Sequence, residues 1–264
     1  MSNISAVTKV MQHHLEQLGY PSDNVQWSLG YCQGDGASFT GKLDLAKLGA
    51  RLLPGVHPNI WESCTAELQI TRGRDRYVHE RSTSLSESVE TVDSGAPDEY
   101  GGIAQKVAFR KLVAILETEI VQVGAELGRM GYNVLESYFR PDHEGGSESV
   151  WCFRTENFQV EVFKIEDTDY NPLDMSDEFF SETVTELTSG KWEICGSKVV
   201  VSMLDEDGDP ISDLAEKYCY GHCFEKSGPV FGNRSTMREL VHEAIQEARV
   251  NYAKICRPRL KTAA

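Results

Sequence analysis

The sequence predicts an α+β protein with two antiparallel β-containing halves, joined by a long amphipathic helix and flanked by terminal amphipathic helices. Three observations support this class. Apolar residues recur at spacings of three and four near both ends and in the middle of the chain. Alternating segments between these stripes predict strands, and Gly-, Pro- and Asp-rich stretches separate them. The predicted regions are an N-terminal α+β region over 1–100, a connecting helix over 101–132 and a C-terminal α+β region over 133–264.

The N-terminal half is predicted to begin with a helix and to continue mainly as strands. In chain order, the pattern predicts a helix over 7–18, a β-hairpin with strands over 25–33 and 37–45, a short helix over 45–53 and a strand over 64–71. Gly19 marks the end of the first helix. Gly34-Asp35-Gly36 predicts a tight turn between the hairpin strands.

The central helix has the strongest pattern in the chain. Apolar residues recur at helical spacing from Phe109 to Met130, and we predict a helix over 103–130 that stops at Gly131. Such a helix would be about 42 Å long. This length exceeds what a compact half needs, so we expect the helix to bridge two domains or to pair with another copy.

The C-terminal half is predicted to contain five strands and a final helix. The predicted strands cover 134–139, 150–154, 158–165, 192–195 and 198–204. The helix begins near Thr236, whose hydroxyl can form a capping box with Glu239. A short echo also links Leu18-Gly19-Tyr20 with Met130-Gly131-Tyr132. It fits either a duplicated helix-hairpin unit or chance.

Composition excludes several classes of protein. A formal net charge of −15 over 264 residues disfavours direct binding to a phosphate backbone. The same acidity favours either simple solubility or attraction to a basic partner. Seven scattered cysteines indicate free thiols, and no apolar stretch is long enough to span a membrane. We therefore expect a cytoplasmic protein.

The string from Gln33 to Phe39 contains the candidate binding residues. Glycines on both sides of Asp35 could let a ligand approach the backbone, whereas the alternative is a purely structural turn. The string resembles a segment of uncharacterised bacteriophage-encoded proteins. This resemblance implies a phage origin and the host cytoplasm, and it brings no chemistry to individual residues. The candidate residues are Gln33, Gly34, Asp35, Gly36, Ser38 and Phe39.

A second acidic string resembles a calcium loop of the EF-hand type. Pro210 occupies the position where that loop needs glycine, and the preceding residues predict a strand instead of a helix. The alternative is a solvated acidic turn followed by a short helix. The carboxylates at the loop's ligand positions are Asp205, Asp207, Asp209, Asp213 and Glu216.

Signatures of catalysis are missing from the sequence. There is no Gly-x-Ser-x-Gly elbow and no His-Glu-x-x-His motif, so we predict no catalytic residue, no metal and no cofactor. Cys219, His222 and Cys223 have a spacing that zinc permits, but no second ligand pair accompanies them. Buried cysteines and an ordinary histidine are the simpler interpretation.

These observations favour a non-enzymatic phage accessory protein. We expect it to bind and inhibit or divert a host protein, including one of antiviral defence, and to act as a homo-oligomer. The expected partner has a basic, nucleic-acid-binding surface that attracts an acidic protein. The alternative is a hydrolase or a nucleotide-processing or sequestering protein that uses residues 33–39, with a divalent metal at the acidic loop.

Overall fold

The computed structural model describes residues 2–62, 67–72, 83–84, 102–142, 146–174, 177–232 and 234–256. The chain divides into two compact units, Ile4–Asn133 and Val134–Ala264, the latter together with Met1–Asn3. The described residues form two antiparallel four-stranded sheets and six α-helices, which confirms the predicted α+β class.

The N-terminal unit contains a sheet with the strand order β1-β2-β3-β4. Its elements are α1 (Ser2–Leu18), β1 (Asn24–Ser28), β2 (Gly36–Lys42), α2 (Leu45–Leu52), α3 (Pro58–Glu62), β3 (Gln69–Arg72), β4 (Thr83–Ser84) and most of α4 (Ile103–Ser137). The apolar stripe of α1 is fully buried from Val7 to Leu15. Only the end of the predicted strand over 64–71 is seen in β3, and residues 63–66 lie outside the described residues.

Helix α1 ends, and helix α2 begins, where the sequence predicts. Gly19 has a φ of 77° after α1, which is the left-handed conformation that glycine adopts without steric cost. The Asp44 carboxylate caps α2 by accepting hydrogen bonds from the backbone N–H groups of Ala46 and Lys47, both at 3.1 Å.

The predicted hairpin forms, but its strands are shorter and its connection is longer. β1 ends at Ser28 and β2 begins at Gly36, so residues 29–35 form a loop in place of a tight turn. Tyr31 has a φ of 57°, which no strand residue adopts. Leu29 and Tyr31 alternate with smaller or polar neighbours, which is the pattern of a strand. The predicted strand is therefore longer than the observed one.

Helix α4 is longer than predicted and contains 35 residues. The predicted stop at Gly131 is wrong. A Cβ atom at this position would lie 2.4 Å from Leu29 Cδ1 and 2.7 Å from Met11 Cε, so the glycine allows close packing inside a helix. The predicted strand over 134–139 is also wrong, because residues 134–137 continue α4 and Tyr138 forms only an isolated bridge with Ile194.

The C-terminal unit contains a sheet with the strand order β5-β6-β7-β8. Its elements are β5 (Ser147–Arg154), β6 (Phe158–Ile165), two 3₁₀ turns (Pro172–Asp174 and Asp177–Phe179), α5 (Phe180–Thr188), β7 (Trp192–Leu204), β8 (Pro210–Glu225) and α6 (Arg234–Ile255). Helix α6 packs against β8 and β7. The core beneath it includes Val199, Val201, Leu214 and Phe224.

Two local predictions in this half are corrected by the sheet. The strands predicted over 192–195 and 198–204 form one strand, β7, with a register shift at Gly196. A Cβ atom at this glycine would lie 2.9 Å from the Tyr220 ring and from Ile165, so a larger residue would force one of these side chains to move. The short helix considered after the acidic loop is wrong, since these residues form β8.

Among the described residues, the two units share one order of elements. Each shows a helix, two strands, a helical segment, two strands and a closing helix, and α4 is both the last helix of the first series and the first helix of the second. The sequence echo does not align these series, because Leu18 ends α1 whereas Met130 lies about two turns before the end of α4.

Candidate functional site

Asp35 is the centre of the loop between β1 and β2. Its carboxylate accepts hydrogen bonds from the backbone N–H groups of Gly30 and Cys32, both at 2.9 Å, and from the Cys32 thiol at 3.1 Å. The Tyr132 hydroxyl of α4 donates a further bond. That hydroxyl bond is the main reason why the pKa of the Asp35 carboxyl lies far below its usual range. Asp35 therefore organises the loop from within.

The other candidate residues of this string do not share one surface. Gln33 is exposed in the loop, whereas Ser38 and Phe39 lie on β2 and are buried. The Phe39 ring packs against the Tyr20 ring with a centroid distance of 5.2 Å. Gly34 has a φ of 94°, as a structural turn requires, and Gly36 begins β2. The string thus combines an internally bonded loop with a core strand.

The acidic string forms the β7–β8 hairpin loop and the start of β8. Asp205 Oδ1 accepts hydrogen bonds from the backbone N–H groups of Asp207 at 3.0 Å and Asp209 at 2.8 Å. Asp213 lies on β8 and accepts a hydrogen bond from Ser202, and Glu216 pairs with Lys198 at 2.8 Å. Across the described ranges, no group of three or more His, Cys, Asp or Glu side chains is arranged to hold a metal ion.

The cysteine and histidine string lies on β8, where its side chains alternate between the two faces of the sheet. His222 Nε2 lies 2.9 Å from Ser197 Oγ, and both residues are buried. Ser197 has no exposed surface, so a substrate cannot reach its hydroxyl as it would a nucleophile. Burial also raises the pKa of the Cys195 thiol to about 12 and that of Cys223 to about 11.

Burial gives His222 a defined effect on the pH dependence of stability. Burial lowers the pKa of His222, with a smaller opposing effect from Asp167. As the pH falls below about 6.5, the unfolded chain binds a proton that the folded chain does not. We expect the unfolding free energy to decrease as the pH is lowered from 7.5 to 5.5. The His222→Gln substitution should reduce the slope of unfolding free energy against pH by up to about 1.4 kcal/mol per pH unit.

Urea unfolding at several pH values measures this effect. His242 is exposed on α6, so His242→Gln is the matched control and should retain the wild-type slope. An unchanged slope in the His222 variant would show that this ring does not govern the acid side of the stability curve.

Two apolar pockets follow one another along α6, on the side of β5 and β6, and we describe them together as one groove. One end has a volume of about 490 Å³ and is lined by Val150, Trp151, Val162, Met237 and Val241 among others. The other end, of about 420 Å³, is lined mainly by Phe153, Phe158, Val160, Ile245 and Tyr252. Both ends belong to the C-terminal unit and border the same helix.

Two aromatic rings of β5 stand beside this groove. Trp151 is 48 % exposed and Phe153 is 54 % exposed. Their rings are nearly parallel, with centroids 6.3 Å apart and an interplanar angle of 11°. Trp151 pairs with Val162 and Phe153 pairs with Val160, so both rings lie on the face of the sheet that carries α6. Together the two rings form an exposed aromatic surface on the edge strand β5.

Sequence reasoning missed this surface for a physical reason. The alternation of Trp151 and Phe153 predicts a strand with one apolar face, and that strand was predicted. Whether such a face is covered depends on the order of the strands and on which of them a helix packs against. Neither is encoded in a local pattern.

Comparison with known proteins gave no match to a family model, to a characterised protein or to a solved structure. In the part of the chain that the structure describes, no helix combines the length and the apolar character needed to cross a membrane.

Proposed function

We propose that this chain is a non-enzymatic binding protein that holds an apolar segment of a partner protein in the groove beside α6. The observation that carries the proposal is the half-exposed pair Trp151 and Phe153 at the groove. Burying a large apolar side chain is worth about 1.5–3 kcal/mol. Aromatic residues that fill a desolvated pocket are the usual anchors of protein interfaces.

The sequence adds the nature of the partner to this proposal. The phage-like string favours a host protein in the host cytoplasm, including a component of antiviral defence, as the target that is inhibited or diverted. The net charge of −15 would speed the encounter with a protein that has a basic, nucleic-acid-binding surface. We also propose that the chain forms homo-oligomers.

The enzymatic alternative has less support from the geometry. The Asp35 carboxylate is already engaged by four donors of its own unit, and Phe39 is a core residue. A carboxyl whose pKa is held far below its usual range by the Tyr132 hydroxyl is a weak general base, and Phe39 has no exposed surface for a ligand.

The test combines affinity purification with quantitative binding. We expect the tagged chain to retain a stoichiometric host partner, and Trp151→Ser/Phe153→Ser to weaken that complex by at least about 30-fold, because aromatic anchors contribute about 2 kcal/mol or more. The melting temperature should change little, since both rings are half exposed.

Matched exposed residues on the opposite edge strand provide the control. Ile211→Ser/Tyr218→Ser replaces two exposed apolar side chains of β8 and should leave the complex intact. If the partner remains bound with the same affinity when Trp151 and Phe153 are replaced, the groove is not the binding site.

A further inference from the structure

The sheet of the C-terminal unit has room for a second helix. Four strands spaced by about 4.8 Å make a sheet about 19 Å wide, whereas a helix with its side chains is about 10–12 Å across. Helix α6 lies against β8 and β7. The face of β5 and β6 that carries Trp151 and Phe153 therefore has space for one more helix beside α6, which would complete a two-layer packing.

The direction of the exposed rings favours a helix over an added strand. Trp151 and Phe153 project from the face of the sheet, next to Val162 and Val160 of β6. A strand added to the edge of β5 would extend the sheet in its own plane and would leave both rings exposed. A helix lying on the face would cover both rings at once.

The charges along α6 indicate the chemistry of this helix. Arg234 and Arg238 are exposed, lie one turn apart and border the end of the groove with the larger volume, while Arg249 borders the other end. Glu247 pairs with Lys217 of β8 at 2.6 Å, on the other flank of α6. No salt bridge among the described residues engages Arg234 or Arg238. A strongly acidic chain thus borders its groove with arginines.

We propose that the occupant of the groove is an amphipathic helix of the partner protein, with an apolar face over Trp151 and Phe153 and an acidic flank that pairs with Arg234 and Arg238. This inference rests on the proposed function and names the chemistry of its partner. Arg238 and Arg249 are about 16 Å apart along α6, so the docked helix has at least three turns.

Two designed peptides test the charge of the occupant. Both are labelled 18-residue amphipathic helices with the same leucine face, and one has glutamates on its flanks while the other has lysines. We expect the full-length protein to bind the acidic peptide at least about 10-fold more tightly in fluorescence anisotropy at low salt. Arg234→Glu/Arg238→Glu should reverse this preference, and Arg154→Glu, on the opposite face of β5, should retain it. Equal binding of both peptides, or a preference for the basic one, overturns the inference.

Hydrogen exchange tests the shape of the occupant. A docked helix gains helical circular dichroism and leaves the outward amides of β5 exchanging freely, whereas an added strand protects them and overturns the inference.

Sedimentation tests whether a second copy of the chain fills the groove. A dimer that dissociates in the Trp151→Ser/Phe153→Ser variant would show that it does, and would overturn the inference. If the natural partner needs both aromatic residues but the acidic peptide is not selected, this inference fails and the proposed function stands. If the partner does not need them, the proposed function itself fails.

Discussion

Replacing Phe39 by alanine is expected to lower the unfolding free energy by about 3–5 kcal/mol, the usual cost of removing a buried phenylalanine ring. Phe39 has no exposed surface and packs against Tyr20 within the N-terminal unit. The substitution leaves a cavity that the surrounding strand and helix cannot fill completely. Urea unfolding of the full chain measures the effect.

The string from Gln33 to Phe39 also offers a control for this substitution. Gln33 is exposed, so Gln33→Ala should change stability by less than about 0.5 kcal/mol. Together the two variants separate the two roles that the string from Gln33 to Phe39 can have. If Phe39→Ala folds with wild-type stability and loses only partner binding, this string is a binding site and not a part of the core.

Replacing Asp167 by alanine is expected to cost about 3 kcal/mol. Asp167 is only 4 % exposed, and its carboxylate accepts the backbone N–H groups of Asp169 at 3.3 Å, Tyr170 at 3.1 Å and Gly221 at 2.7 Å. Removing it leaves three part-buried backbone donors without acceptors, and a fully buried donor left in this way costs about 1–3 kcal/mol. Thermal and urea unfolding would both report the loss.

Two further variants serve as controls, Asp167→Asn and Asp169→Ala. The asparagine oxygen still accepts hydrogen bonds, so part of the stability should return. Asp169 has an exposed side chain, and its removal should be nearly neutral. A stable Asp167→Ala protein that has lost a ligand would instead identify the cleft lined by Glu166 and Tyr220 as a binding site.

Local sequence patterns correctly predicted the helices and strands in which the element's own apolar residues determine the buried face. The strand over 158–165 has the same bounds as predicted, and the helices α1, α2 and α6 were found near their predicted positions. In each case the burial period of the element matches the period of its apolar residues. The overall class followed from these elements.

The errors arise where distant residues decide the local structure. Gly131 lies inside α4, where Leu29 and Met11 leave no space for a Cβ atom, although glycine after an apolar stripe usually ends a helix. In the loop over 29–35, Asp35 bonds not only to Gly30 and Cys32 but also to Tyr132, nearly one hundred positions away. The exposed rings of Trp151 and Phe153 depend on strand order. None of these contacts is visible in a short window of sequence.

The open groove has a consequence for the behaviour of the free protein. Two exposed aromatic rings favour association between copies through apolar contact, and an edge strand can in addition pair with the edge strand of another copy. A net charge of −15 opposes association through this surface by mutual repulsion. The acidity of the chain and its aromatic surface therefore balance each other, and the colloidal stability of the free protein decreases as the pH approaches the point of zero net charge.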